Sequence, residues 1–336
     1  MAALPPPVAA IRLAVRRALT RTPEHATVLV ACSGGADSLA LAAATAFVAP
    51  RLGRRAGLVT VDHGLQDGSA GRAAAVADWA ATAGLDPVEV TPVLVAGRPG
   101  GPEAAAREAR YQALVEAAHR HAAGTVLLGH TRDDQAETVL LALARGAGPR
   151  GLAGMPEERE LAGVTLARPL LDVGRDQTRK ACAALGLTPW EDPHNVDPSY
   201  ARARVRSDVL PVLTGALGPG VLDNLARTAK LIAADTAALD ALGRSALADA
   251  RTADGGLAVP VLRDLPAAVR TRVLHGWARE VGATPAALSH RHVAALDALV
   301  TAWHGQGAAD LPGPVRVTRR GDTLTAARRP PGRVHA

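Results

Sequence analysis

Short apolar runs alternate with longer Ala- and Leu-rich stretches over the first 210 residues, and this alternation predicts a parallel α/β sheet. The predicted strands are five apolar runs bounded by polar positions: residues 27–32, 57–61, 87–90, 125–128 and 164–167. The predicted helices follow these strands in turn: residues 38–48, 72–83, 103–121, 133–145 and 177–185. The first part of the chain is therefore expected to be an α/β domain.

The pattern changes at about residue 211. Segments 224–247 and 266–281 have the texture of amphipathic helices, and the alternation over 313–326 predicts a hairpin. We therefore predict a catalytic domain over residues 1–211 and a smaller, mostly helical domain over residues 212–336. The Pro- and Arg-rich ends, residues 4–8 and 328–336, are predicted to be loose.

Polar residues gather where three of the predicted strands end. These positions are 33–37, 62–64 and 130–134. Ligands of open parallel sheets bind beyond the carboxyl ends of the strands. The sequence thus predicts a site at that edge of the sheet.

Composition narrows the class of protein. The 336 residues fit two domains, and 48% hydrophobic residues exclude a fully disordered chain. No apolar stretch reaches the roughly 20 residues that span a bilayer, and no apolar block follows the first arginines as in a secretory signal. Cys32 and Cys182 are too few for a disulfide framework or a zinc site. We expect a cytoplasmic protein with no membrane partner.

The net charge of +6 is carried almost entirely by arginine, since Lys180 and Lys230 are the only lysines among 38 basic residues. Beside abundant Ala, Gly and Pro, this ratio indicates GC-rich coding. Arginine nevertheless meets phosphate with two parallel hydrogen bonds. The charge is compatible with a nucleic-acid partner.

The segment Ser33-Gly34-Gly35-Ala36-Asp37-Ser38 joins an apolar strand to an apolar helix. Adjacent glycines allow a tight turn, and backbone N–H groups at a helix start bind anions. Asp37 would repel phosphate unless it binds Mg²⁺, which bridges to phosphate oxygens. An ordinary strand–turn–helix junction is the alternative, with Asp37 or Ser38 as the N-cap. The P-loop pattern of kinases and GTPases is absent.

Together with this loop, four further segments resemble a known family, the pyrophosphatase-loop (PP-loop) ATPases, and within it the tRNA(Ile)-lysidine synthases. They are Val-Asp-His-Gly-Leu at 61–65, Ala-Arg-Glu-Ala-Arg-Tyr at 106–111, Gly-His-Thr-Arg-Asp-Asp-Gln-Ala-Glu-Thr at 129–138, and residues 192–206. The resemblance covers roughly residues 25–211. Gln66, His194 and Ala203 depart from the usual Arg, Ser and Asn of the family.

The resemblance implies a fold, a reaction and a set of partners. The fold is a PP-loop domain of the adenine nucleotide alpha hydrolase-like type. ATP adenylates the carbonyl oxygen on carbon 2 of the wobble cytidine of a tRNA(Ile) with a CAU anticodon. L-lysine then displaces AMP and leaves lysidine. ATP and Mg²⁺ are the implied cofactors, tRNA(Ile) and L-lysine the implied partners, and a homodimer is compatible with the family.

Residues 33–38 are accordingly expected to bind ATP, with Asp37 as the Mg²⁺ ligand. Asp133, Asp134 and Glu137 share a helix face and are expected to hold the amines of lysine. Capping is the competing explanation, because Thr131 and Asp134 have the spacing of a capping box. His63 and His130 follow strands, so we expect both to contact the nucleotide, although local hydrogen bonding explains a lone histidine as well.

Two sets of arginines are candidates for phosphate contacts. Arg107 and Arg110 lie three residues apart on a predicted helix, and the resemblance gives at least one of them a role in adenylation. Arg202, Arg204 and Arg206 alternate, so in an extended segment they would share one face. Arg107 and Arg202 are the predicted catalytic arginines. Solvated, salt-bridged surfaces are the alternative for both sets.

Two other functions remain open at this point. A tRNA thiolase would use the same loop, but it would need a thiolate pair or a Cys-x-x-Cys site, and the two cysteines lie far apart in sequence. A non-catalytic, nucleotide-dependent tRNA-binding module would not need Asp37 and three further acids beside a phosphate loop. The sequence favours the lysine-ligating enzyme over both.

Overall fold

The computed structural model describes residues 4–62, 64, 68–93, 102–192 and 197–328, without the side chains of 102–104. The chain forms two compact units, residues 1–233 and 234–336. The predicted domain boundary after residue 211 stays a prediction.

The first unit contains the strands β1 to β6, in a single sheet. Their bounds are Thr27–Ala31 (β1), Arg55–Asp62 (β2), Val88–Pro92 (β3), Ala123–Leu128 (β4), Glu158–Leu161 (β5) and Val164–Ala167 (β6). The order is β3-β2-β1-β4-β6-β5, and all neighbours are parallel except β5 with β6. The parallel sheet is thus confirmed. The polar edge strand β5, Glu-Arg-Glu-Leu, has no apolar alternation and escaped the sequence analysis.

Helices of the first unit cover both faces of the sheet. Their bounds are Pro6–Leu19 (α1), Ala36–Val48 (α2), Ser69–Thr82 (α3), Pro102–Arg120 (α4), Arg132–Ala144 (α5), Pro149–Leu152 (α6), Arg175–Ala184 (α7), Ala201–Arg204 (α8) and Leu210–Leu217 (α9). Helices α1, α2 and α7 share one buried core with the sheet, and α4 forms a second core on the opposite face. The fold is a three-layer α/β domain.

Strand order creates the crevice in which the site lies. The chain runs outward from β1 through β2 to β3 and then returns to place β4 on the other side of β1. The connections after β1 and β4 therefore leave in opposite directions, and ligands bind at such a switch point. Both the loop before α2 and the start of α5 lie there.

Helix α1 corrects the expectation of a loose amino-terminal end. Val8 and Ile11 are almost fully buried, and α1 packs against α2 and α7. The Pro-rich run misled the sequence analysis, because proline in the first turn of a helix loses no hydrogen bond and has a suitable φ. The other end lies mostly outside the described residues, although Arg328 ends a strand.

We expect Ile11→Ala to lower the free energy of unfolding by about 2–4 kcal/mol, because it leaves a cavity beneath α1. Leu13→Ala, on the exposed side of the same helix (49% exposed), should change it by less than about 0.5 kcal/mol. Urea denaturation followed by circular dichroism measures both. Equal effects of the two substitutions would mean that α1 is not docked.

The second unit is built around the buried Trp277. Its helices are the end of α10 (Val221–Ala250), α11 (Val259–Asp264), α12 (Ala267–Glu280) and α13 (His290–Thr301). Its strands, in the antiparallel order β7-β10-β9-β8, are Leu257–Ala258 (β7), Ala309–Leu311 (β8), Val315–Arg320 (β9) and Thr323–Arg328 (β10). The predicted hairpin is confirmed as β9 and β10.

Among the described helices, none is by itself long and apolar enough to cross a membrane. One pair bent by 99°, Ala201–Leu217 with Val221–Ala250, meets the criteria of length and composition only when its two parts are taken together.

Candidate active site

The loop between β1 and α2 has the tight form that its sequence predicts. Gly34 has φ +83°, and a Cβ there would lie 3.1 Å from the Val76 side chain. The Ser38 hydroxyl accepts the Ser33 N–H at 3.2 Å and donates to the Gly35 carbonyl at 3.0 Å. The loop is thus closed on itself at the start of α2, where free backbone N–H groups favour an anion.

A segment after α7 braces this loop from outside. The Trp190 N–H donates to the Gly34 carbonyl at 2.9 Å. The guanidinium of Arg72 lies over the Trp190 ring, 4.3 Å from its centroid. A backbone contact and a cation–π contact therefore hold the glycine turn in place.

Gly129, at the end of β4, lies directly against the first turn of α2. A Cβ at Gly129 would be 3.1 Å from the Cα and N of Ser38 and 3.2 Å from the Asp37 carbonyl carbon. All three neighbours are backbone atoms, so a larger residue must displace the helix start. The close approach explains why glycine precedes His130 in the sequence.

We expect Gly129→Ala to weaken ATP binding at least roughly tenfold, because it shifts the loop N–H groups by several tenths of an ångström. Gly124→Ala, at the other end of β4, meets no atom within 4 Å and should leave binding unchanged. Calorimetric titration with a non-hydrolysable ATP analogue compares the two variants. Unchanged affinity in Gly129→Ala would show that the loop tolerates the displacement.

The fold brings four predicted acids together. Asp37 stands in the first turn of α2, and Asp133, Asp134 and Glu137 stand on α5. Asp37 and Asp134 are mostly buried, and Glu137 is completely buried. In the described part of the chain, the ion pairs of these acids are with Arg132, Arg175, Arg202 and Arg206.

The capping explanation is confirmed for one oxygen of Asp134. Its Oδ2 accepts the Thr131 N–H at 2.8 Å and the Thr131 hydroxyl at 2.9 Å. Its Oδ1 instead accepts a hydrogen bond from Arg175 at 2.8 Å. Asp134 therefore both caps α5 and contributes charge to the site.

Arg175, at the start of α7, lies in the middle of the four acids. Its Nη2 donates to Asp134 Oδ1 at 2.8 Å and to Glu137 Oε1 at 3.2 Å. Its Nε is 3.6 Å from Asp37 Oδ2, and its backbone N–H donates to Asp133 Oδ2 at 2.9 Å. One nitrogen thus bridges two carboxylates that are a helical turn apart.

The arginines near residue 204 are helical, which corrects the expectation of an extended segment. They lie on α8 and the π-helical turn Val205–Val209. Arg206 binds Glu137 through Nε at 2.9 Å and Nη2 at 3.3 Å, and Arg202 Nε lies 3.6 Å from Glu137 Oε2. Arg204 turns to the Pro198 and Ser199 carbonyls. Spacing four apart places Arg202 and Arg206 on one helical face.

Burial and charge shift the pKa values of the acids in opposite directions. Burial raises the pKa of Asp37 to about 6, against a hydrogen bond from the Thr178 hydroxyl and the charge of Arg175. Burial would also raise the pKa of Asp134, but Arg175 and the Thr131 N–H hold it below its ordinary value. Asp134 is therefore ionised at neutral pH, and Asp37 is the more readily protonated of the two.

His130 follows β4 and stands among guanidinium groups. Burial lowers its pKa to about 3, and the charge of Arg110 adds to the effect, so the imidazole is neutral. His130 Nδ1 and Arg110 Nε are buried and have no hydrogen-bond partner within the described structure. Unpaired buried polar atoms are costly, which favours a bound ligand here.

Of the two remaining predicted residues, Arg107 has no ion pair with the acidic cluster in the described structure, and His63 is not described. Arg107 donates from Nη2 to the Tyr111 hydroxyl at 3.3 Å, on α4. His63 lies outside the described residues, and the neighbouring Gly64 N–H donates to Asp62 Oδ1 at 2.9 Å. Their roles in catalysis and nucleotide binding stay predictions.

Sequence reasoning missed Arg175 and Thr178. Both follow β6, which is parallel to β4 and ends at the same edge of the sheet. The rule that drew attention to residues after the other strands would have found Gly-Arg-Asp-Gln-Thr at 174–178.

Neither a metal cluster nor a reactive thiol is evident in the described structure. No set of three or more His, Cys, Asp or Glu side chains there has an arrangement that could by itself hold a metal ion. Burial raises the pKa of Cys32 and raises that of Cys182 to about 11, so both thiols are protonated at neutral pH. Such thiols are poor nucleophiles for sulfur transfer.

Comparison with known proteins agrees with this geometry. The profile of the PP-loop domain family matches residues 11–213, and that of the TilS substrate binding domain matches residues 257–325. A structure of a U34-tRNA thiolase from Methanococcus maripaludis has TM-score 0.55 and 19% identity, over 67% of this chain and 80% of that one, which shows the fold alone.

Curated relatives are similar over nearly the whole chain. A tRNA(Ile)-lysidine synthase of Salinispora arenicola is 74% identical over 97% of this chain and 98% of its own length. The same enzyme of Streptomyces coelicolor is 55% identical over 95% and 97%. Because the PP-loop profile covers more than half of the chain and these relatives match nearly all of it, this chain belongs to the tRNA(Ile)-lysidine synthase family of PP-loop proteins.

Proposed function

We propose that this protein joins L-lysine to carbon 2 of the wobble cytidine of tRNA(Ile) with a CAU anticodon. ATP first adenylates the carbonyl oxygen on that carbon and releases pyrophosphate, and the lysine ε-amine then displaces AMP. The observation that carries the proposal is the nitrogen position between Asp134 and Glu137, close to the PP loop.

Residues 33–38 are proposed to hold the phosphates of ATP. The loop itself contains no cation to offset their charge. Mg²⁺ in nucleotide sites takes one or two carboxylates together with phosphate oxygens and water. Asp37 fits this donor set, because Asp133 and Asp134 add negative charge around it and its Oδ2 is beyond hydrogen-bond distance from Arg175. The metal would neutralise charge as the α-phosphate is attacked.

Asp134 and Glu137 are proposed to hold an ammonium group of lysine. Both are buried, and a buried carboxylate requires a cationic or hydrogen-bonding partner. An amino acid that brings its own cation meets this requirement. The pair would thereby orient the amine toward the activated base.

The base itself is proposed to enter beside His130. Nδ1 of the neutral His130 imidazole can accept or donate a hydrogen bond, depending on the tautomer, and Arg110 Nε–H can donate one. Both atoms are without a hydrogen-bond partner in the described structure and could meet the polar edge of cytosine. Arg107 and Arg202 are proposed to offset phosphate charge. The second unit, which matches a substrate-binding domain, is proposed to contact the tRNA. A homodimer and a cytoplasmic location stay predictions.

The test is transfer of radiolabelled lysine to purified tRNA in the presence of ATP and Mg²⁺. The isoleucine CAU species is the substrate and the methionine CAU species is the control. We expect stable label on the first alone, matched by AMP release. AMP release without lysine transfer would keep the PP-loop assignment and overturn the substrate. Bound tRNA without turnover would favour the binding module.

A further inference from the structure

The cation position between Asp134 and Glu137 is already filled by a group of the protein. Arg175 Nη2 lies 2.8 Å from one carboxylate and 3.2 Å from the other. A lysine ammonium, which is also a single nitrogen, cannot occupy the same point. The substrate therefore competes with Arg175 for its partners.

Arg175 differs from Arg206 in the way its head group meets the carboxylates. Two hydrogen bonds from one nitrogen hold its head, whereas its Nε is only within ion-pair distance of Asp37. Arg206 instead grips both oxygens of Glu137 through two nitrogens. Such two-point contacts are the stronger arrangement.

The backbone of Arg175 stays fixed when its side chain moves. Its N–H is anchored to Asp133 Oδ2, and Thr178, one turn along α7, holds Asp37 through its hydroxyl. Rotation about the side-chain bonds alone removes the guanidinium from the acids. The exchange therefore needs no movement of a helix.

We propose that Arg175 is a specificity-determining residue, which occupies the ammonium site in the substrate-free protein and must be displaced by lysine. The proposal rests on the lysine site proposed above. A neutral amino acid that displaced Arg175 would remove the cation hydrogen-bonded to Asp134 Oδ1 and leave Glu137 with Arg202 and Arg206 alone. Loss of a charge partner at a buried carboxylate is unfavourable. Only an amino acid with a side-chain cation can complete the exchange.

The test measures lysine affinity in Arg175→Gln by equilibrium dialysis, with a non-hydrolysable ATP analogue present throughout. Removal of a resident competitor should tighten lysine binding roughly tenfold, since apparent affinity falls with the fraction of sites that are closed. Arg179→Gln, an exposed arginine on the same helix, should bind lysine as the wild type does. Norleucine, which lacks the ammonium, should compete poorly in the wild type and in Arg179→Gln, and better in Arg175→Gln, where no guanidinium has to be displaced.

Two results separate the inference from the lysine site itself. If Glu137→Gln loses lysine binding but Arg175→Gln binds lysine no better than wild type, Arg175 is a structural partner and the inference fails. If Glu137→Gln binds lysine normally, the proposed site is wrong and the inference falls with it.

A second measurement uses the wild-type protein and does not depend on a variant that folds. The ¹⁵Nε–¹H signal of Arg175, identified among the arginine side chains by segmental or site-selective labelling, reports its environment. Saturating lysine should shift this signal and increase its exchange with water, whereas norleucine should not. A signal that stays unchanged while lysine is bound would overturn the proposal.

Discussion

Asp37→Asn is expected to lower the rate of ATP-dependent AMP formation by at least 10²-fold. A neutral amide is a weaker ligand than a carboxylate for the proposed Mg²⁺, which would neutralise charge at the α-phosphate. The side chain keeps nearly the same shape and still offers an acceptor to the Thr178 hydroxyl, so the loss would report charge. Single-turnover AMP release measures the effect. Asp78→Asn, an exposed aspartate on α3, is the matched control.

The same substitution is expected to stabilise the fold at alkaline pH. Burial raises the pKa of Asp37 from 3.8 to about 6, so the folded state takes up a proton between these values. The contribution of Asp37 to stability therefore falls as the pH rises from about 4 to about 6 and is lowest above that range. At pH 8, Asp37→Asn, which resembles the protonated carboxyl, should gain about 1–3 kcal/mol, a range that already includes the opposing charge of Arg175.

Urea denaturation of both proteins at pH 4.5 and pH 8 checks this sign. The advantage of Asp37→Asn should appear at pH 8 and shrink at pH 4.5, where wild-type Asp37 is protonated. A variant that is less stable at pH 8 would mean that the ion pair with Arg175 outweighs the cost of burial. Loss of activity in a variant that is at least as stable as the wild type identifies a functional carboxylate.

Glu137→Ala is expected to cost about 3–5 kcal/mol of stability, because it leaves partly buried guanidinium groups without their carboxylate. Glu137 is fully buried and pairs with Arg175, Arg202 and Arg206. Glu137→Gln keeps the volume and should cost less. In that variant the KM for lysine should rise at least roughly tenfold, while AMP formation is partly retained.

The matched control is Glu116→Gln, on the exposed face of α4. It should change neither stability nor lysine use. Unaltered lysine KM in Glu137→Gln would return α5 to a purely structural role. A parallel loss of AMP formation would instead place Glu137 in the adenylation step.

The features that depend only on neighbouring residues in the sequence were predictable. The apolar strands and the PP loop follow from periodicity and from two adjacent glycines, and the structure reproduces their bounds within a few residues. The acids of α5 were found because two explanations, capping and substrate binding, both place them in one turn. Asp134 caps α5 through Oδ2 and accepts a hydrogen bond from Arg175 through Oδ1, and its contact with substrate stays a proposal.

The partners of the acids were not predictable, because they come from far along the chain. Arg175 and Arg206 lie 38 and 69 residues beyond Glu137. The sequence analysis did not single out Arg175, and the alternation of Arg206 with Arg202 and Arg204 indicated a solvated or extended segment. Only the packing of α7 and of the turn after α8 brings both residues to α5. Local pattern identifies which residues carry charge, but tertiary structure decides which charges meet.

Within the described ranges, the cations paired with the acidic cluster are all guanidinium groups: Arg132, Arg175, Arg202 and Arg206. The two lysines have largely exposed side chains and pair with other acids. On the proposed route this matters, because an adenylated cytidine is attacked by any nearby free amine. Guanidinium stays protonated in proteins and is a poor nucleophile. A site lined with arginine can therefore hold an electrophile without becoming attached to its own substrate, and the amine that reacts is the one that diffuses in.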